Sequence, residues 1–94
     1  MIDYCLKNKD EAEFNQLMLD TGLCVEVTEG EEAVIVPADY TVLIDRIGPI
    51  TIGEITYPEY YSNLRLLNGA TEDQATALAV YAIDPSQPQY RTWL

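Results

Sequence analysis

Histidine is absent from this 94-residue chain. Its absence removes the commonest general base and the commonest metal ligand. Positive charge is scarce as well: five Lys and Arg stand against sixteen Asp and Glu, a net charge of -11. A nucleic-acid backbone and an anionic membrane both repel such a chain, so neither is expected as a partner. Cysteine is limited to Cys5 and Cys24. Their spacing matches no metal motif, and a lone pair cannot build a zinc site without other ligands. Both read as small buried hydrophobes with free thiols, and a disulfide stays open only if their strands are neighbours. Ser62 and Ser86 have no histidine to activate them. No Gly-rich phosphate loop occurs. No apolar run is long enough to span a bilayer. The start, Met1-Ile2-Asp3-Tyr4, lacks the basic and apolar regions of a leader, so synthesis in the cytoplasm is expected. No cofactor and no metal are expected, and the chain reads as a non-enzyme that acts by contact.

What is present suits one domain over residues 1–94. Apolar residues make up 48% of the chain, enough for a real core and against wholesale disorder. Tyrosine is over-used, with seven copies against one Phe and one Trp. Its apolar body and polar tip serve half-buried sheet faces and protein interfaces alike.

Along the chain, residues 2–6 read as a strand. Asn8 and Asp10 offer helix N-caps, and Asp10 with Glu13 has capping-box spacing. Phe14, Leu17, Met18 and Thr21 fall on one face of a helix expected over 10–21, closed by Gly22. Two short apolar runs, 23–27 and 33–36, flank the charged turn at Glu29, Gly30, Glu31 and Glu32 and predict a hairpin. Residues 41–47 are rich in β-branched side chains and read as a strand. Gly48-Pro49 interrupts the pattern as a bend, bulge or loop, and 50–55 resumes it. Residues 60–67 form the next strand, ended by Asn68-Gly69. Thr71 with Gln74 makes a second capping box, opening a helix whose small-residue stripe is Ala75, Leu78, Ala79 and Ala82. Asp84-Pro85 should stop it, and residues 90–94 form a terminal extended segment. The expected fold is α+β, with two helices on one face of a mostly antiparallel sheet, in a split β-α-β (ferredoxin-like) variant with an extra hairpin.

Three clusters invite a functional reading. Asp45-Arg46-Ile47-Gly48-Pro49-Ile50 is either a recognition strand with a shaped corner or an ion pair plus a turn. Tyr61, Asn63 and Arg65 share a strand face and offer a stripe able to grip a partner chain, because arginine presents a rigid fork of donors. The structural alternative pairs Arg65 with a neighbour such as Asp45 or Glu54. Glu29, Glu31 and Glu32 lack the alternating ligands of a calcium loop and read as a solvated turn. Glu72 and Asp73 are explained by the dipole of the second helix.

Ile44-Asp45-Arg46-Ile47-Gly48, Tyr60-Tyr61-Ser62-Asn63-Leu64-Arg65 and the closing Asp84-Pro85 … Pro88-Gln89-Tyr90-Arg91-Thr92-Trp93 together resemble small proteins encoded among the tail and late structural genes of tailed bacteriophages and prophages. The resemblance implies a virion-associated structural or assembly protein, a tail or head-tail accessory component. It implies other phage structural proteins as partners, with homo-oligomerisation as an option, and localisation in the virion. It supplies no catalytic residues. The partner-binding residues expected are Tyr57, Tyr61, Asn63, Arg65, Tyr90 and Trp93. Two other functions compete. One is an acidic DNA mimic that inhibits a host defence or DNA-binding protein. The other is an enzyme working through paired carboxylates, disfavoured because no poised nucleophile is visible.

Overall fold

Strand β1 (Ile2–Asn8) opens the chain. Helix α1 (Glu11–Asp20) follows at once, because Asp10 is extended and its carboxylate accepts from the Glu13 backbone N–H at 2.9 Å. Glu13 answers by accepting from Lys9 N–H at 2.9 Å and Asn8 Nδ2 at 3.2 Å, which ties the helix start to the end of β1. Strands β2 (Cys24–Glu29) and β3 (Glu32–Pro37) form the predicted hairpin as a sheet of their own. Gly30, with φ 64°, takes the first turn position, which in a two-residue hairpin of this hand favours glycine. Strands β4 (Val42–Ile52) and β5 (Ile55–Leu66) make a second, longer hairpin, and α2 (Glu72–Ala79) follows. The computed structural model describes residues 1–84. The extended segment expected over 90–94, with Tyr90 and Trp93, lies outside the described residues.

Among the described residues the fold is α+β, with two helices and five strands, and every strand pairing is antiparallel. Its finer plan departs from the ferredoxin-like order. The strands divide into two sheets, β1-β5-β4 and β2-β3. Between β1 and its partner β5 lie α1 and all three other strands, so no helix connects parallel neighbours. A segment after α2 extends the larger sheet: Lys7 N–H donates to Tyr81 O at 2.9 Å and Ile83 N–H to Cys5 O at 2.8 Å, with Ala82 bridged to Leu6.

The core fills the space between one face of β1-β5-β4 and the rest of the fold. Leu6, Val42, Leu64 and Leu66 from the sheet meet Phe14, Leu17 and Met18 from α1, Leu23 and Cys24 at the start of β2, and Leu78 from α2. Both helices therefore pack on the same sheet face. Gln74 Nε2 donates to Thr21 O at 3.0 Å and links the two helices. The stripe expected on α2 is shorter than its spacing suggests. The helix ends at Ala79, well before Pro85, because the chain must turn to lay Ala82 along β1.

The β4–β5 pairing slips twice. Ile47 is an extra residue between the pairs Arg46–Ser62 and Gly48–Tyr61. Beyond it, Pro58, Glu59 and Tyr60 stand against Pro49 alone before Ile50 meets Tyr57. Gly48 has φ 78°, a backbone state that side chains resist, so the Gly-Pro interruption is a bulge inside one strand. The run expected over 50–55 is instead a hairpin end. Gly53, φ 62°, and Glu54 form the turn, and Ile52 pairs with Ile55.

Candidate functional site

Strand β5 carries the expected partner-binding stripe. Tyr57, Tyr61, Asn63 and Arg65 sit at odd positions, opposite to Tyr60, Leu64 and Leu66, which enter the helix-covered core. Alternation thus puts the stripe on the other sheet face, as the residue pattern predicts. Asp45 and Arg46 likewise diverge: Asp45 accepts from Asn63 Nδ2 at 3.2 Å, whereas Arg46 donates to Asn15 Oδ1 at 2.9 Å on α1 and lies 5.0 Å over the Phe14 ring.

Three of the four described residues of the stripe are tied up within the chain. Asn63 lies in register between Cys5 and Asp45; it accepts from the Cys5 thiol at 3.5 Å and donates to Asp45. Arg65 makes a two-pronged pair with Asp3, Nε to Oδ1 and Nη2 to Oδ2, each 2.8 Å. This is the structural pairing with a neighbouring carboxylate, and the neighbour is Asp3, its register partner on β1. The Arg65 guanidinium holds the Asp3 carboxyl below the usual carboxylate range. Tyr61 is 1% exposed. Burial pushes its phenol above the ordinary value, and the nearby Glu59 carboxylate, which shares a hydrogen bond with it, adds to the shift. Asn63 is also 1% exposed, so from residue 60 to 64 β5 is buried on both faces. Tyr57 is half-buried and lies farther out.

Beyond the bulge the β4–β5 hairpin forms a short arm over residues 50–57 that β1 does not flank, since β1 pairs with residues 60–66 of β5. Its register pairs Ile50 with Tyr57, Thr51 with Thr56 and Ile52 with Ile55. Directly opposed residues share a face. Ile50, Ile52, Ile55 and Tyr57 therefore make one apolar face, and the two threonines the other, their hydroxyls 3.3 Å apart. Exposure rises toward the tip: Ile50 is 8% exposed, Ile52 44% and Ile55 61%. The residue pattern hides this arm because 50–55 looks like one continuous strand. The available signal was the repeated Gly-Glu dipeptide, Gly30-Glu31 and Gly53-Glu54, each between two apolar runs.

Chemistry elsewhere is limited. A surface cleft where the end of α1 meets the start of α2 is lined by Gly22, Asp39, Thr41, Asn68, Thr71 and Gln74. Its carboxylate, Asp39, accepts from both the hydroxyl and the backbone N–H of Thr41, and these bonds hold it below its ordinary pKa. It is thus engaged as a turn-former. Cys24 is buried in the core, which pushes its thiol up, while Cys5 lies on the opposite sheet face; both are free. Among the described residues no group of three His, Cys, Asp or Glu is placed to hold a metal, and no helix is long and apolar enough to cross a membrane. No protein-family model matches the chain, and no curated protein or solved structure is significantly similar to it.

Proposed function

We propose that this chain is a contact protein without catalytic chemistry, that its docking element is the β4–β5 arm, and that its setting is a tailed-phage particle. The observation that carries the contact reading is the isoleucine pair at the arm's tip. Ile52 and Ile55 oppose each other at 44% and 61% exposure on a hairpin end that β1 leaves unflanked. Scattered exposed isoleucines need no explanation, but an exposed cross-strand pair on one face of a hairpin end favours a surface to be covered. The phage setting draws on the resemblance alone. The two described motifs that carry it fall on β4 and β5, the strands that continue into the arm.

The test is incorporation. Particles released by cells that carry the gene are purified and analysed by mass spectrometry, with the natural chain and with Ile55→Asp. The natural chain is expected in the particles and the variant is expected to be lost from them while remaining folded by circular dichroism. A chain never found in particles sinks the virion setting, and a variant incorporated normally sinks the arm. Salt-sensitive capture of a nuclease or repressor would instead favour the DNA-mimic reading.

A further inference from the structure

Resting on that contact reading, we infer that the arm's occupant is a protein with an apolar cleft rimmed by lysine or arginine, and that it is not a second copy of this chain. The apolar face of the arm is narrow, Ile52 and Ile55 at the tip with Tyr57 and Ile50 behind. The Thr51–Thr56 pair makes the reverse face polar. A cleft that receives the isoleucine pair therefore meets one side of the hairpin. Charge then selects the occupant. Between Arg46 and Arg65 the chain holds no Lys or Arg, and its charged residues there are Glu54 and Glu59. Glu59 shares a hydrogen bond with Tyr61, so Glu54, exposed in the turn beside Ile55, is the charge at the docking tip. A complementary rim is positive.

A second copy fits poorly on two counts. Two arms packed tip against tip would bring their Glu54 carboxylates together, and any pairing of copies adds two bodies of net charge -11. Sheet extension through the strand edges is hindered too, because Pro49 on β4 and Pro58 on β5 flank the arm and have no N–H to donate.

The test places the photo-crosslinker benzoylphenylalanine at Ile55 in the full chain, in the cells that naturally make it, and identifies the adducts by mass spectrometry. No adduct overturns the contact reading of the arm, and this inference with it. An adduct to another copy of the chain overturns the inference alone. An adduct to a different protein leads to calorimetry of the purified pair. There Glu54→Lys is expected to weaken Kd about 3- to 10-fold at about 0.05 M salt, with the difference lost near about 0.5 M. Glu26→Lys, the same charge change on the exposed β2, is expected to change Kd less than about twofold. Equal Kd values for the natural chain and Glu54→Lys would overturn the inference and leave the arm as a docking element.

Discussion

Phe14 shows how much one side chain can hold. It is fully buried, its ring centroid lies 5.5 Å from that of Tyr60, and the Arg46 guanidinium sits 5.0 Å over its face. Arg46 also donates to Asn15 and to the Tyr60 hydroxyl, so helix and sheet meet around one aromatic pair and one cation. Phe14→Ala is expected to cost about 3–5 kcal/mol, read from the urea midpoint, and Phe14→Leu distinctly less. Tyr61 gives the alkaline counterpart. Its folded pKa is raised, mainly by burial. The group contributes stability fully below the unfolded phenol value of about 10 and loses it as pH rises through the folded value, because the unfolded chain gives up that proton first. Cys24, raised by burial, acts in the same direction. Urea midpoints should therefore fall above about pH 9, and Tyr61→Phe should flatten that slope. A midpoint that holds level to pH 11 in the natural chain would contradict the assignment.

At the scale of elements, local chemistry decides where helices start. Thr71 accepts from Gln74 N–H at 3.1 Å while the Gln74 side chain accepts from Thr71 N–H at 3.0 Å, a complete capping box. Thr71→Ala is expected to cost about 1 kcal/mol, measured by thermal melting. Both helix starts were legible in the residues, since Asp10 and Thr71 act through neighbours three positions away. The first hairpin was legible for the same reason. What escaped was set at long range. The Asp3 partner of Arg65 is 62 positions away, and register supplies it. Burial of Asn63 on the helix-free face could not be read from a polar residue in an alternating strand. The end of α2 is fixed by a distant strand edge at Leu6 and Cys5, so proline at 85 was a misleading stop signal. The arm, the main part of the candidate site, was hidden because a turn of one glycine and one glutamate leaves an apolar run almost unbroken.

Across the whole molecule, sixteen carboxylates outnumber the cations by eleven. Asp3 is offset by the Arg65 guanidinium, whereas Asp10, Glu13, Asp20, Asp39 and Asp45 accept hydrogen bonds from backbone N–H, amide or hydroxyl groups, which order them without cancelling their charge. The excess opposes compaction, and salt screens it over about 8–10 Å at ordinary ionic strength. Raising NaCl from about 0.02 to about 0.5 M should therefore raise the thermal midpoint, measured in the same buffer by circular dichroism. A falling midpoint would mean that attractive pairs such as Arg65–Asp3 outweigh the general repulsion.

The pairing of β1 with β5 has a further consequence for biosynthesis. Strand β1 leaves the ribosome well before its partner β5, the next-to-last described element, and its outer edge is completed later still, at Tyr81 and Ile83. Such distant pairing is slow to close. Nascent chains stalled before residue 60 has cleared the exit tunnel should remain open to protease, and the larger sheet should assemble only once residues 60–83 have emerged.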